Sequence, residues 1–401
     1  MSKAVKLLLS DPKKFSRKLL NKFPKKLRNL LLKFPSEKEI SEQLTKLTMQ
    51  YKGKQVFVFP SPSTPWGYMF QRPQQVATVL SKMGFPVIYC VDTSFVEKPD
   101  WYIRGLVKLE GNIYLFNDGA NGHSLRNLNS NVIIWQYWPH QQRFIERFND
   151  TVSIIYDCID HLTTFSHYKG IQEDHLNALS RAKIVLVTAE HIMKAVKPVR
   201  DDCILVPNGV NYEDFDISYF GQKWDEMERI RKTSKAIIGY YGAIAEWMDF
   251  ELIEYCAAQN PEWTIVLIGE VYPEVKIVEK PNIIYLQRQD YKRLSLFLNY
   301  VDVAILPFKI NDITINTSPV KIFEYMASGT PVVSTVLPEV KKYSEILIGN
   351  DKYEFNEQLK VALSKSNDQD FVNLLKKCAQ NNTWNQRIET VLEVCQERGI
   401  L

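Results

Sequence analysis

The stretch NTSPVKIFEYMASGTPVVST, residues 316–335, decides the fold of this chain. It predicts a loop, a short helix and a buried strand in that order. Ser318 is a suitable helix N-cap, and Pro319 suits the first helical position. Gly329 follows the last helical residue, and VVST then continues as an apolar strand. The stretch therefore predicts one αβ unit of a parallel sheet.

The predicted helix carries one cation, Lys321, and one carboxylate, Glu324. Residues three apart share a helix face. An ammonium beside a helix N-terminus forms an anion site, and a carboxylate one turn deeper is placed to accept hydrogen bonds from a ribose. The pair thus indicates a nucleotide whose phosphates lie at the start of the helix and whose ribose diol lies one turn deeper. An ordinary surface Lys–Glu pair remains the alternative reading of this helix alone.

Working outward, the chain alternates buried apolar strands with helical patterns. Strands are predicted at 55–60, 85–92, 112–118, 131–138, 152–158, 182–189 and 203–207, and then at 235–242, 263–269, 282–287, 301–308, 330–335 and 345–350. Such a series predicts an α/β protein with two Rossmann-like, doubly wound parallel-sheet domains facing across a cleft. We expect an extension at 1–50, an N-terminal domain at 51–215, a C-terminal domain at 216–375, and a final helix at 376–401 that crosses back.

Composition supports a globular protein of two domains. The chain has 401 residues, of which 45% are hydrophobic and 24% charged. It contains no apolar run long enough to predict a transmembrane helix. Its six cysteines show no CxxC spacing, which argues against a zinc site and against a disulfide scaffold and fits a reducing cytosol.

Residues 1–35 carry eleven Lys and Arg against one acid, Asp11, within a leucine-rich pattern. A basic amphipathic stretch of this kind predicts binding to an anionic membrane surface. A helix packed on the body of the protein is the alternative. Nucleic acid is a weaker candidate partner, since no aromatic residues are interleaved with the basic ones. We therefore expect a cytoplasmic protein that is peripheral at the inner face of the cell membrane.

Two loops of the first domain could bind a ligand. The loop 59–73 contains Trp66, Gly67, Gln71 and Arg72, and it lacks the GxGxxG of dinucleotide-binding dehydrogenases. Gly67 would let a backbone N–H approach a ligand, although a plain Pro/Ser turn explains the loop equally well.

The segment YDCIDH ends the strand at 152–158 and brings Asp157, Asp160 and His161 to the carboxyl edge of the sheet. These groups are suited to holding sugar hydroxyls or to proton transfer. An Asp that caps the next helix is the alternative, above all for Asp160.

In the second domain, Gly239 and Gly242 are expected to bracket a strand-to-helix turn whose amides face a diphosphate. Arg288 follows another strand and is a candidate phosphate ligand, although a solvated surface role is the more common one. Asp214 and Asp216 match a DxD metal motif formally, but they lie in a polar loop, and we interpret the match as coincidence.

The motifs VPNGV, GYYGAI, NIIYLQRQ, VDVAILPF and SPVKIFEYMASGTPVV resemble, in order and spacing, the retaining GT-B glycosyltransferases that use nucleotide-sugar donors. The resemblance covers about residues 55–395. It implies a donor in the C-terminal domain, an acceptor in the N-terminal domain, and no metal or other cofactor. It also assigns the donor ribose to Glu324. Asn316 stands where the family often has a sugar-binding Glu.

The stretch AIAEWMD, after Gly242, lacks the cation that this family commonly places there, so Lys321 and Arg288 would supply the charge. The resemblance thus implies transfer from a UDP, dTDP or GDP sugar to a glycan or lipid-linked acceptor in surface polysaccharide synthesis, with retention. The assigned catalytic residues are Lys321, Asp157, Asp160 and His161; those binding donor are Gly239, Gly242, Arg288, Asn316, Thr317, Ser318 and Glu324; those binding acceptor are Trp66, Gly67, Gln71 and Arg72. A nucleotide-sugar epimerase of the same fold and a degenerate nucleotide-sugar-binding protein are the alternatives.

Overall fold

The computed structural model describes residues 34–67, 69–91, 103–120, 122–128, 131–146, 148, 152–165, 168–216 and 223–401. Most of the predicted membrane-binding segment, residues 1–33, lies outside this part of the chain. None of the helices in the described ranges is both long enough and apolar enough to span a membrane.

Fourteen strands are described. They are β1 (Val56–Phe59), β2 (Val87–Cys90), β3 (Gly105–Glu110), β4 (Ile113–Asn117), β5 (Val132–Gln136), β6 (Ser153–Cys158), β7 (Ile184–Val187), β8 (Ile204–Leu205), β9 (Ala236–Tyr241), β10 (Trp263–Ile268), β11 (Ile283–Leu286), β12 (Val303–Leu306), β13 (Val332–Thr335) and β14 (Leu347–Gly349).

The described α-helices are α1 (Glu37–Gln50), α2 (Arg72–Lys82), α3 (Gln142–Ile145), α4 (Ile171–Arg181), α5 (Glu190–Val196), α6 (Tyr212–Phe215), α7 (Asp225–Thr233), α8 (Phe250–Gln259), α9 (Tyr291–Leu298), α10 (Val320–Ser328), α11 (Lys352–Lys365), α12 (Gln369–Gln380) and α13 (Trp384–Glu397). Short 3-10 turns include Leu162–Phe165 and Thr314–Asn316.

The strands form two sheets. The first has the order β3-β4-β2-β1-β5-β6-β7-β8, and the second has the order β11-β10-β9-β12-β13-β14. The pairings with a described register are parallel, except that β3 runs antiparallel to β4. The predicted class, two doubly wound parallel α/β sheets, is confirmed.

All thirteen predicted strands are present. The fourteenth described strand, β3, was not predicted from the sequence. Its exposed side chains lie at the edge of the sheet, where little burial is required, so its sequence shows no continuous apolar run. In contrast, β9 and β10 are buried along their whole length, as their apolar runs predict.

The chain divides into two compact units. The first holds the described residues up to Asp157, together with 170–185 and 392–401, and the second holds 158–169 and 186–391. The six-stranded sheet lies wholly in the second unit. The predicted domain boundaries remain predictions.

Helix α1 forms part of the predicted N-terminal extension, residues 1–50. Its N-terminus has a capping box, in which the Glu39 N–H donates to Ser36 Oγ and the Ser36 N–H donates to Glu39 Oε2. Ile40, Leu44 and Leu47 are buried on one face, at the 3–4-residue spacing of an amphipathic helix. This part of the extension therefore packs on the first unit.

Candidate functional site

Helix α10 begins one residue later than predicted. Pro319 is extended, with ψ of 114°, so it occupies the N-cap position in place of Ser318, and it provides no side-chain cap for the first turn. The first N–H groups of a helix have no intrahelical partner. The start of α10 thus presents unsatisfied donors and the positive end of the helix dipole to an anion. Gly329 ends the helix in the left-handed conformation, with φ of 78°, as predicted.

Lys321 projects from this first turn and is half-buried. Its Nζ lies 5.7 Å from the centroid of the Tyr240 ring. In the described ranges, no hydrogen-bond acceptor or carboxylate lies within bonding distance of this ammonium. Burial lowers the pKa of Lys321, and the nearby Glu324 opposes that shift. The result is a partly desolvated ammonium that an anion would stabilise.

Glu324 lies one turn deeper and is only 5% exposed. The Tyr241 hydroxyl donates a hydrogen bond of 2.7 Å to its Oε2. Burial raises the pKa of Glu324 to about 7, although the Tyr241 hydrogen bond and the Lys321 charge lower it, and the charge of Asp214 adds to the rise. The carboxyl group is therefore held in one place and titrates near neutral pH.

The loop before α10 is fixed by its own polar groups. The Asn208 N–H donates to Ser318 Oγ at 3.3 Å, and Asn208 Nδ2 donates to the Ser318 carbonyl at 2.6 Å. Asn316 Nδ2 donates to the Asp312 carbonyl, and Thr317 Oγ1 donates to the Ile313 carbonyl. Ser318 therefore anchors the VPNG turn and does not cap the helix. Donor binding by Asn316, Thr317 and Ser318 remains a prediction.

The prediction that the backbone amides of Gly239 and Gly242 both face a diphosphate is wrong. Gly239 lies inside β9, where a Cβ would collide with Val301. The Gly242 N–H donates to the Ile268 carbonyl at 2.8 Å and so is occupied. A Cβ on Gly242 would lie 2.9 Å from Lys321 Nζ. Gly242 thus gives room to the lysine side chain, which is a different role from the one predicted.

The functional roles of three further residues of this unit, Arg288, Asp160 and His161, remain predictions. Arg288 is exposed in the loop after β11. His161 Nδ1 shares a hydrogen bond of 3.0 Å with Thr163 Oγ1, and the neighbouring Asp160 carbonyl accepts a hydrogen bond from Cys158 Sγ. Asp160 and His161 thus lie in a local turn, at the start of the 3-10 turn Leu162–Phe165.

In the first unit, Arg72 and Asp157 form a buried ion pair. Arg72 Nε donates to Asp157 Oδ2 at 2.8 Å, and Trp135 Nε1 donates to the same oxygen at 3.0 Å. Arg72 is 5% exposed and Asp157 is 1% exposed. The sequence assigned these residues to acceptor binding and to catalysis, whereas the described contacts join them to each other inside the unit.

The remaining candidates of the 59–73 loop have mostly internal contacts. Trp66 is 7% exposed and packs edge-on against Phe70 and Tyr89. The Gln71 N–H donates to Gln74 Oε1 at the start of α2. Gly67 is exposed with φ of 83°. Their role in acceptor binding remains a prediction.

Sequence reasoning missed the tyrosines of the GYYG motif. Tyr241 orients Glu324, and Tyr240 lies beside Lys321, so both complete the site. Tyr325 supports them, because its hydroxyl accepts a hydrogen bond from the Tyr241 N–H at 3.3 Å. The signal was present in the sequence, as two aromatic residues at the last positions of a buried strand, but only the flanking glycines were considered.

Comparison with known proteins finds similarity in the second half of the chain. Residues 236–365 match the family model "Glycosyl transferases group 1". TuaH of Bacillus subtilis (strain 168), provisionally named a teichuronic acid biosynthesis glycosyltransferase, is 25% identical over 259 residues. That alignment covers 58% of this chain and 64% of TuaH.

Solved structures share the fold at low identity. Sucrose-phosphate synthase from Thermosynechococcus elongatus has a TM-score of 0.63 at 12% identity, covering 86% of this chain and 98% of the other. Anabaena HepE, solved in complex with UDP, has a TM-score of 0.59 at 12% identity, covering 85% and 100%. The chain therefore has the GT-B fold. Residues 236–365 match the group 1 glycosyltransferase model, and α10 with Lys321 and Glu324 lies inside this matched domain.

Proposed function

We propose that this chain moves a sugar from a nucleotide-sugar donor to a glycan or lipid-linked acceptor in surface polysaccharide synthesis. The observation that carries the proposal is the start of α10. There, among the described residues, the Lys321 ammonium has no hydrogen-bonded or ionic partner and the first N–H groups have no cap, one turn above a buried, oriented carboxylate. A nucleoside diphosphate has the matching chemistry, with anionic oxygens at one end and a ribose diol at the other.

The proposed chemistry is stabilisation of the leaving group. As the sugar bond to the diphosphate breaks, negative charge grows on the departing phosphate oxygen. Lys321 and the first N–H groups of α10 meet that charge in a partly desolvated corner, where electrostatic stabilisation is strongest. Glu324 holds the ribose and makes no bond to the sugar. We propose retention, with the departing phosphate taking the acceptor proton, so that no side-chain nucleophile is required.

The similar proteins support the class of donor and acceptor. HepE was solved with UDP and with UDP-glucose, which favours UDP as the carrier. The name of TuaH refers to teichuronic acid, which supports a surface polysaccharide as product. The basic residues 1–35 favour a lipid-linked acceptor at the inner membrane face. Family resemblance supports transfer without a metal ion.

Isothermal titration with UDP, GDP, dTDP and ADP tests the proposal, with and without EDTA. We expect one nucleotide to bind, and Lys321→Ala and Glu324→Ala each to weaken it about tenfold or more. Lys360→Ala and Glu357→Ala are matched controls, because they remove an exposed Lys–Glu pair with the same three-residue spacing on α11.

The two substitutions should differ in their kinetics. In assays that follow sugar release from the donor, Lys321→Ala should lower kcat, while Glu324→Ala should mainly raise KM. Absence of binding to all four nucleotides, or equal effects of the site and control variants, would refute the assignment. Isomerisation of the donor sugar without an acceptor would instead support an epimerase.

A further inference from the structure

The turn VPNG, residues 206–209, is held in place by the chain at the start of α13. The Val210 N–H donates to the Asn382 carbonyl at 3.1 Å, and the Trp384 N–H donates to the Val210 carbonyl at 3.0 Å. Gly209 allows this close approach, because a Cβ there would lie 2.9 Å from the Asn382 carbonyl oxygen. The backbone of the turn is therefore fixed by a distant segment of the second unit.

Asn208 connects this turn to the chain that enters α10. Its side-chain Nδ2 donates to the Ser318 carbonyl at 2.6 Å, and its backbone N–H donates to Ser318 Oγ at 3.3 Å. Its own carbonyl accepts a hydrogen bond of 3.4 Å from Arg387 Nε, near the start of α13. Ser318 is only 6% exposed, and a buried carbonyl requires a donor, which Asn208 supplies. Asn208 thus fixes the peptide that immediately precedes Pro319.

This peptide sets the direction of the donors at the start of α10. Pro319 has no N–H, so the donors that an anion would meet are the N–H groups of residues 320–322. Their direction follows the chain that enters the first turn, and Asn208 holds that chain. The helix itself packs against α12. The first N–H groups of α10 are therefore held in one orientation by contacts within the second unit.

We propose that Asn208 is a positioning residue for the anion site. Its amide holds the Ser318 carbonyl, so that the first N–H groups of α10 stay directed toward the diphosphate of the donor. This inference rests on the proposed function, since it requires a diphosphate at the start of α10. It assigns a role to the VPNG turn, which the Lys321–Glu324 pair does not explain.

Fixed donors stabilise a phosphate better than mobile ones. An N–H that already points to the place where negative charge grows needs no reorientation when the donor binds or reacts. Without the amide of Asn208, the Ser318 peptide loses one restraint and the N–H groups lose part of their alignment, although Lys321 keeps its charge. The loss should therefore fall on the phosphates of the ligand and spare its nucleoside.

The test compares the binding of UDP, by titration calorimetry, with that of uridine, by ligand-observed NMR. The corresponding pair replaces them if GDP, dTDP or ADP is the nucleotide that binds. In Asn208→Ala we expect UDP to bind about fivefold or more weakly and uridine to change less than about twofold. Asn208→Leu keeps the approximate size of the side chain without its donor and should show the same pattern, so it carries the test if Asn208→Ala does not fold. Equal losses for UDP and uridine, or no loss of either, would overturn the proposal.

Asn282→Ala is the matched control. The half-buried side chain of Asn282 also donates to main-chain carbonyls, those of Ala257, Asn260 and Trp263. It lies at the start of β11, on the amino edge of the sheet, whereas a helix that follows a parallel strand begins at the carboxyl edge. Asn282→Ala should therefore lower stability in urea and leave the affinity for UDP unchanged. A loss of UDP affinity equal to that of Asn208→Ala would refute a specific role for Asn208.

Sugar release from the donor gives a second readout. Asn208→Ala should lower kcat, because the charge on the departing phosphate is largest in the transition state, and Asn282→Ala should not. UDP binding that Lys321→Ala weakens and both Asn208 variants leave unchanged would refute this inference alone. Failure of the unmodified chain to bind UDP, GDP, dTDP or ADP would instead refute the proposed function, and this inference with it.

Discussion

The hydroxyl of Tyr241, the last residue of β9, donates a 2.7 Å hydrogen bond to Glu324 Oε2 in the second turn of α10. The two residues are 83 positions apart in the chain. The bond fixes a buried carboxyl group that also feels the charge of the nearby Lys321 ammonium. It supports the ionised form, while burial favours the protonated form, and burial is the stronger effect.

Glu324 should make stability fall as pH rises. Its pKa in the folded protein is raised to about 7, against 4.5 as the ordinary value. Between these values the unfolded chain releases the proton and the folded chain keeps it, so the free energy of unfolding decreases with pH over this window. Glu324→Gln removes the effect. Relative to the unmodified chain, it should gain up to about 3 kcal/mol between pH 4.5 and 7.5.

Urea unfolding at several pH values measures this difference. Glu357→Gln, on an exposed face of α11, is the control and should follow the unmodified chain at every pH. Parallel curves for Glu324→Gln and the unmodified chain would show that Glu324 is ionised at little cost.

Tyr241→Phe removes the donor and keeps the ring, which packs edge-on against Tyr325 at 5.0 Å. A hydrogen bond to a charged acceptor is stronger than one to a neutral acceptor. We therefore expect a loss of about 1 kcal/mol at pH 5 and about 2 kcal/mol at pH 8. The same unfolding experiment measures both values, and an equal loss at the two pH values would argue against an ionised acceptor at pH 8.

Gly242→Ala should move the Lys321 ammonium. The added Cβ would press on the end of the lysine side chain, and φ of 142° is unfavourable for alanine. We expect a loss of about 1 kcal/mol in stability and about tenfold weaker nucleotide binding. Gly170→Ala is the control, because Gly170 has φ of 78° and no neighbour within 4 Å of the added Cβ. It should lose stability only; equal nucleotide affinity in both variants would contradict the role given to Gly242.

Arg72→Ala should destabilise the first unit by about 3–5 kcal/mol, because it leaves Asp157 buried without its cation. Replacing both residues, as Arg72→Met/Asp157→Leu, should cost less than the single change. Activity per folded molecule should survive the double replacement if the pair is structural. Loss of kcat in a folded double variant would restore Asp157 as a catalytic residue.

Deletion of residues 1–33 tests membrane binding and leaves the Ser36 capping box of α1 intact. The full chain should sediment with vesicles that contain anionic phosphatidylglycerol, and less so at high salt. The truncated chain should remain in the supernatant, as should the full chain with neutral vesicles. Equal sedimentation of both chains would refute anchoring by this segment.

The sequence by itself determined the two parallel sheets, the helix between Pro319 and Gly329, and the common face of Lys321 and Glu324. These features follow from local rules, since apolar runs, caps and three-residue spacing act over one or two turns of chain. The sequence motifs also indicated the resemblance to GT-B glycosyltransferases.

Only the tertiary structure decided which polar groups already have a hydrogen-bonding or ionic partner. Gly242 donates its N–H to Ile268, Arg72 pairs with Asp157, and Tyr241 reaches Glu324. Each partner lies at least 26 positions away, on another strand or helix. No local pattern specifies such a pairing, because it depends on how strands and helices bring distant side chains together and on the cost of burying any polar group left without a partner.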